Sequence, residues 1–271
     1  MTVYSHSRLS MFEKCPLAYK YRYLDKIKPE IPFIGIEAYM GSTVHEALEY
    51  LYRYQKKYPG QRLLLIQLLE KYEGIWNENM TADIKVVKEG MIKEDYFLQG
   101  KKILSDYYQT HQPFDSEETL SVEERVDINI EGFKLMGFVD RIAVSRDGIL
   151  KLYDYKTSGR LPDSAVLEND RQLSLYQIGF SKKYPQYAKN GIEVIYHYLA
   201  FNQEFKFQKS DEALETVKKN IVDLIQTIEL AAWTNTFPAS VGTLCRWCEF
   251  SSLCPDFSKS NPESNLNSNS L

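Results

Sequence analysis

Two hydrophobic periods divide this chain. Between residues 38 and 111 the recurring positions are three and four apart. His45, Leu48, Tyr52 and Gln55 follow this spacing, as do Leu64, Leu68, Tyr72 and Ile75, and then Phe97, Leu104 and Tyr108. That is the period of helices with one buried face, with Gly90 and Gly100 leaving their boundaries open. After Pro113 the period changes to two. Val126-Asp127-Ile128-Asn129-Ile130 alternates as a half-buried strand does. Glu131-Gly132 offers a turn, Phe133 to Val144 a second strand, Arg146-Asp147-Gly148 a hairpin and Ile149 to Tyr155 a third strand. Short turns between three strands predict an antiparallel meander. A helix over 168–183, strands over 192–201 and 204–207, and a long amphipathic helix over 212–233 complete the pattern.

The N-terminal segment reads as an interrupted helix. Ser5 or Ser7 caps a first short helix. Cys15-Pro16 breaks it, because the residue before proline avoids helical geometry, and Pro16 opens the next helix through Leu17–Tyr23. Residues 28–36, with Pro29, Pro32 and Gly35, read as a loop. The Ser/Asn-rich stretch 258–271 is expected to be a disordered tail. Pattern alone predicts an α/β domain with a mixed sheet and a helical insertion over 38–112.

Composition narrows the class. The 271 residues are 44% hydrophobic and 26% charged, as in ordinary globular domains, which excludes wholesale disorder. The longest aliphatic run is Leu63-Leu64-Leu65-Ile66, far short of the ~20 residues a bilayer span needs. No membrane contact is expected. The charged residues up to Lys28 leave no room for a secretory signal, so a cytoplasmic location is expected. Net charge is −4, which argues against a nucleic-acid coat but not against a nucleic-acid enzyme. Residues 1–28 carry six basic residues against two acidic ones. Their Tyr19, Lys20, Tyr21, Arg22 and Tyr23 would suit a single strand; packing and a solvated face are the bland alternatives. No phosphate-binding G-x4-G-K-[S/T] loop occurs, so the chain carries no P-loop motor.

The candidate chemistry begins at Asp154-Tyr155-Lys156. Residues two apart on a strand share a face, so Asp154 and Lys156 are presented together. The hairpin at 146–148 can bring Asp140, from Gly137-Phe138-Val139-Asp140, toward Asp154. Converging carboxylates need a cation between them or a retained proton, and a hard ion such as Mg²⁺ or Mn²⁺ suits oxygen donors. Taken alone, Asp-x-Lys more often means a surface salt bridge. His45, in Gly41-x3-His45, and the pair Gln172-x3-Tyr176 are each weak signals alone. Cys245, Cys248 and Cys254 form C-x2-C-x5-C, with Cys15 distant; such spacing reads as metal ligation before disulfides, with structural zinc one option.

The order of these pieces carries more than any one of them. Cys15, Gly41-x3-His45, Gly137-x2-Asp140, Asp154-x-Lys156, Gln172-x3-Tyr176 and Cys245-x2-Cys248-x5-Cys254 together resemble the PD-(D/E)xK nuclease superfamily. The similarity is to its RecB-like branch with an iron–sulfur cluster, the type of the AddB nuclease domain and of CRISPR-adaptation nucleases. The resemblance spans residues 5–257; Asp154 stands where many relatives have Glu. It implies a restriction-endonuclease-like core: a central mixed sheet flanked by helices, with a C-terminal cysteine cluster joined to the N-terminus. One nuclease domain over 1–257 is implied, its C-terminal helix and iron–sulfur segment over 210–257. His45, Asp140, Asp154 and the Tyr155 carbonyl would hold Mg²⁺ or Mn²⁺. Lys156 would orient the water and stabilise the transition state, and Gln172 and Tyr176 would position the DNA strand and the site loop. Cys15, Cys245, Cys248 and Cys254 would hold a 4Fe-4S cluster, read as structural. The implied activity is metal-dependent hydrolysis of DNA, as an exonuclease, in repair, recombination or defence, with single strands or ends as substrate and a separate helicase as partner. The alternatives are a CRISPR-adaptation nuclease, a non-catalytic DNA-binding scaffold and a zinc-stapled interaction module. Glu124, on the first strand, receives no role.

Overall fold

Helices form where the period of 3.6 predicts them, and their mutual packing explains the glycines. The computed structural model describes residues 2–28, 34–243, 245 and 248–260. These divide into two compact units, a larger one over 33–129 and 134–217 and a smaller one over 1–32, 130–133 and 218–271.

In the larger unit, α3 (Ile36–Lys57), α4 (Leu65–Asn79) and α5 (Lys93–His111) form a helical layer. Two short strands, β2 (Ile34–Gly35) and β3 (Ile84–Lys85), pair in parallel beside it. The interior is unusually aromatic: Tyr39, Tyr52, Tyr72, Trp76, Tyr107 and Tyr108 are all buried. Gly100 is not a boundary. It lies inside α5, where a Cβ would stand 2.1 Å from the Tyr72 hydroxyl oxygen, so only glycine lets α4 and α5 approach so closely. The helices are also not a detachable insertion. One hydrophobic cluster runs from Val44, Leu48, Leu68 and Leu104 into Ala143, Tyr153, Tyr155 and Ile195 of the sheet.

The sheet carries the period-two segments. β4 (Glu117–Ile130) is longer than the alternation alone shows. It keeps Val126, Ile128 and Ile130 buried and the residues between them exposed, as a strand covered on one face should. β4 pairs β5 (Phe133–Ser145), and β5 runs antiparallel to β6 (Leu150–Lys156) in the register Arg141↔Tyr153 to Val144↔Leu150. β6 is parallel to β7 (Ile192–Tyr198), which is antiparallel to β8 (Gln203–Phe207). The sheet is therefore mixed, with β6 and β7 buried on both faces.

The helix expected over 168–183 starts three residues later, with a short separate helix before it. α6 (Ser164–Glu168) ends before Asp170, whose side chain accepts the Gln172 N–H at 2.6 Å and caps α7 (Arg171–Lys183). After α8 (Pro185–Ala188) and β7, a single turn of 3₁₀-helix, Leu199–Phe201, replaces the end of the strand expected over 192–201.

The smaller unit opens with β1 (Val3–Tyr4) and α1 (His6–Lys14), capped by the Ser5 hydroxyl on the Arg8 N–H. Cys15 is extended, and α2 (Pro16–Tyr19) restarts the helix, continuing as a π-helical turn over Lys20–Leu24. The C-terminal segment packs on this N-terminal one. The Pro238 carbonyl accepts the Leu17 N–H at 3.3 Å, the Leu253 carbonyl accepts the Tyr21 hydroxyl at 3.2 Å, and Arg22 pairs with Glu249. The aromatic segment is consumed by this packing. Tyr19 is buried, Tyr21 meets Phe250 edge-on, and Lys20 pairs with Asp25 at 2.6 Å. These contacts are those of the packing alternative. α9 (Asp211–Thr234) matches the predicted amphipathic helix. A last helix, α10 (Pro255–Ser260), runs into the first residues of the tail expected over 258–271; 261–271 lie outside the described residues.

Candidate active site

The β5–β6 register decides where the two aspartates meet. One step beyond the Arg141↔Tyr153 pair, an antiparallel ladder sets Asp140 against Asp154. Asp140 Oδ2 accepts the Tyr155 backbone N–H at 2.6 Å, and Asp140 Oδ1 lies 3.3 Å from His45 Nδ1. α3 delivers His45 because Gly41, one turn earlier, lets the helix pass the strand end: a Cβ there would stand 2.8 Å from Thr157 Oγ1.

Asp154 is the most enclosed acid of the group, 5% exposed. Its Oδ1 meets Lys156 Nζ at 2.5 Å. Its Oδ2 accepts from Gln172 Nε2 at 3.0 Å and from the Tyr176 hydroxyl at 3.2 Å. The Gln172 amide is itself fixed. Its Nε2 reaches the Tyr176 hydroxyl at 2.6 Å, and the Tyr196 hydroxyl lies between Gln172 Oε1 at 3.1 Å and Asp170 Oδ2 at 2.9 Å. Gly137 makes room for this arrangement, since a Cβ there would be 3.1 Å from the Tyr176 ring. Gln172 and Tyr176, one helical turn apart, therefore grip the acid. Lys156 also lies over the Tyr196 ring, 4.6 Å from its centre.

The electrostatics is deliberately unbalanced. Burial pushes Asp154 up to about 6, Lys156 pulls it down, and the facing Asp140 pushes it up again. Lys156 is held above its usual range: burial opposes its charge, but Asp154 and then Asp140 outweigh it. His45 is likewise raised, its burial being overcome by Asp140. Of the residues expected at a metal, His45 and Asp140 are in contact, Asp154 faces Asp140, and Tyr155 contributes a backbone N–H to Asp140.

One acid was not singled out. Glu123, not Glu124, belongs here. Candidate ligand atoms of His45, Glu123 and Asp140 all lie within 4.8 Å of one another. Glu123 is pushed up to about 7 by desolvation, then by Asp140 and Glu49. Its backbone is left-handed (φ 49°), a conformation that a non-glycine residue rarely adopts, and the residue stays exposed. Glu124 is held elsewhere: Lys183 Nζ meets it at 2.5 Å and the Tyr184 hydroxyl at 3.0 Å. The signal in the sequence is the adjacent Glu pair, which cannot say which member lies beside Asp140.

Two depressions of about 480 Å³ each share His45 in their walls. One is lined by Lys156, Thr157, Arg160 and Tyr198, the other by Gly41, Glu49, Glu123 and Asp140. Mostly carboxylate donors with one imidazole, around an acid destabilised by its own neighbours, fit a hard or borderline divalent cation.

In the smaller unit, Cys15 Sγ accepts the Ser240 N–H at 3.5 Å and Cys245 Sγ the Gly242 N–H at 3.2 Å. Burial pushes the Cys248 thiol up, and the neighbouring Cys15 and Cys245 add to this. Backbone N–H groups on sulfur and sulfurs close enough to repel one another fit thiolate ligation of a shared centre. All four cysteines are free of disulfides. No described helix is long and apolar enough to cross a membrane.

The sequence profile of the PD-(D/E)XK nuclease superfamily matches residues 3–255, so the chain belongs to that superfamily and is a nuclease. Among solved structures it is similar to a protein from Eubacterium rectale named "Putative exonuclease", with a TM-score of 0.51 and 13% identity over 91% of this chain and 86% of that one. That likeness is one of fold. A second structure, SSO0001, aligns over 93% of this chain and 95% of its own at 17% identity, with a TM-score of 0.32. No curated protein sequence matches the chain.

Proposed function

We propose that this nuclease is a divalent-metal-dependent deoxyribonuclease of the RecB-like branch, acting as an exonuclease on single strands or ends. The observation that carries the reading is Asp154 held by Lys156, Gln172 and Tyr176 while it faces Asp140. His45, Asp140, Asp154 and Glu123 would hold Mg²⁺ or Mn²⁺, with the Tyr155 carbonyl as a further donor. Such an ion supplies positive charge where a phosphate oxygen and an attacking water must be stabilised.

The chain's own residues do the rest. Asp154 keeps the Lys156 ammonium charged and fixed at the mouth of a cavity. From there Lys156 donates hydrogen bonds to water or to a phosphate oxygen that gains charge in the transition state. Gln172 and Tyr176 hold Asp154 in one rotamer, so the carboxylate loses little freedom when the reaction begins. His45 and Glu123 complete the anionic wall and balance the ion.

For the smaller unit we propose a structural 4Fe-4S cluster on Cys15, Cys245, Cys248 and Cys254, tying together parts of the chain more than 200 residues apart. Its staple would offset the entropy of closing so long a loop. Iron and sulfide analysis of anaerobically purified protein separates it from zinc. Repair, recombination or defence in the cytoplasm, with a separate helicase supplying strands, is the setting proposed.

The decisive assay is cleavage of end-labelled single-stranded DNA with Mg²⁺ or Mn²⁺, beside Asp154→Ala. Metal-dependent products that disappear in the variant support the assignment, and their ladder reports polarity. An inactive wild-type protein with its cluster intact would favour the scaffold reading instead.

A further inference from the structure

A second group of ligand-type side chains lies behind the catalytic strand. His111 ends α5, His197 is in β7 and Glu204 in β8, and His197 and Glu204 are direct cross-strand partners. Candidate ligand atoms of the three lie within 4.8 Å of one another. We propose that His111, His197 and Glu204 form a zinc site that ties α5 to β7 and β8.

Four observations carry it. First, His197 is 1% exposed, and its Nδ1 is buried with no hydrogen-bond partner; Glu204 Oε1, at 3.7 Å, is too far to serve as one. His111 Nε2 is buried and unpartnered as well. Buried polar atoms are otherwise almost always paired, so two such nitrogens beside one carboxylate are more than chance neighbours. Second, His197 Nε2 lies 3.1 Å from Asn202 Oδ1. That contact places the ring proton on Nε2 and leaves the lone pair on Nδ1, the orienting bond that metal-bound histidines use. Asn202 also hydrogen-bonds His111.

Third, burial favours the uncharged form of both imidazoles. Burial holds each below its ordinary range, that of His197 at about 4, and the nearby Arg141 charge adds to the effect. Arg141 and Lys151, which also lines the cavity, repel a cation; both pair with Glu117, and Glu204 supplies a second carboxylate. Two neutral nitrogens and one carboxylate suit Zn²⁺, whereas Mg²⁺ and Ca²⁺ require a mostly oxygen shell. Fourth, a cavity of about 240 Å³, lined by His111, Glu204, Tyr52, Phe114 and Arg141, gives an entry path and room for a water as fourth ligand.

The place of the site gives it a consequence. His197 pairs with Tyr155 in the β6–β7 register, and their ring centres are 6.0 Å apart. Neighbours on a strand face opposite sides, so zinc here would brace the strand from the side away from Asp154 and Lys156.

The test uses the full chain, with its cysteine centre loaded and Mg²⁺ in excess. Zn²⁺ is titrated while imidazole ¹⁵N resonances are followed. One equivalent of Zn²⁺ should shift those of His111 and His197 into the range of directly coordinated nitrogen, and more Mg²⁺ should not. Glu204→Gln should weaken this zinc at least ~10-fold in chelator competition. If His111 and His197 do not move at saturating Zn²⁺, or only His45 moves, the proposal is overturned. It is equally overturned if a folded Glu204→Gln protein binds as tightly as wild type. The titration of the wild-type chain decides the matter even if the variant does not fold.

Discussion

Glu117 and Asp154 are two enclosed carboxylates of one sheet, and their surroundings treat them in opposite ways. Glu117 accepts from Lys151 Nζ at 2.6 Å, from the Tyr153 hydroxyl at 2.9 Å and from Arg141 Nη2 at 3.1 Å. Arg141 in turn lies against the rings of Tyr52 and Tyr153. The burial that would raise Glu117 is outweighed by Arg141, Lys151 and Tyr153, and its carboxyl sits below the ordinary range. Asp154 is desolvated and faces a second carboxylate; Lys156, and less strongly His45, pull it down, and it is still raised to about 6. The first cluster is closed, its one carboxylate held by two cations and a hydroxyl. The second sets desolvated and facing carboxylates against fewer cations, and under the proposed function that is where a divalent ion would be received. Buried ion pairs by themselves say little about function; how completely they are satisfied says much more.

The comparison breaks most visibly at Lys156. Lys156→Met keeps the length of the side chain and removes its charge. Cleavage of end-labelled DNA should fall ~100–1,000-fold, with the circular dichroism spectrum unchanged. Glu117→Gln should do the reverse. Leaving Arg141 and Lys151 buried without their partner should cost about 3–5 kcal/mol in urea unfolding, while the folded fraction cleaves at the wild-type rate. A matching loss of activity in Glu117→Gln would mean that the two clusters are not separate in role.

Glu123→Gln sharpens the boundary of the open cluster. The Mn²⁺ concentration for half-maximal cleavage should rise ~10-fold, and an unchanged value would remove Glu123 from the site. The smallest effect is on stability. The folded-state carboxyl of Asp154 is raised from 3.8 to about 6, so its contribution is fully present below pH 3.8 and is lost as pH rises through about 6. In EDTA at about pH 8, Asp154→Asn should therefore gain on the order of 1–2 kcal/mol and melt ~2–4 °C higher for each. At about pH 4 the gain should vanish. Glu117 has the opposite sign: its stabilisation is present above the ordinary glutamate range and is lost as pH falls. A variant melting lower than wild type in EDTA at about pH 8 would contradict the imbalance assigned to Asp154.

Much of this site could be read along the chain, and the remainder could not for identifiable reasons. Gly41-x3-His45 and Gly137-x2-Asp140 were legible as spacings, but their glycines make sense only in three dimensions, as gaps for Thr157 and the Tyr176 ring. Gln172-x3-Tyr176 is a helical turn in any context; that both side chains end on Asp154 Oδ2 depends on how α7 packs over β6. The helix expected over 168–183 starts only at Arg171 because Asp170 caps it, a competition between local bonds that periodicity does not register. Glu123 and Glu124 are adjacent in the sequence, but only their neighbours in space separate them: His45 and Asp140 for the first, Lys183 and Tyr184 for the second.

Local pattern determined what lies within a few residues. Strand alternation after Pro113, the shared face of Asp154 and Lys156, the Cys15-Pro16 break and the Ser5 cap all follow from backbone geometry and side-chain period. Tertiary structure decided everything that joins distant segments: Asp140 against Asp154 by sheet register, His45 brought across by α3, Glu123 set beside them, and His111 beside His197 and Glu204. The reason is the range of the forces. Periodicity and capping act over one turn or one hairpin, whereas the charge balance of a site depends on groups that meet only when separate elements pack.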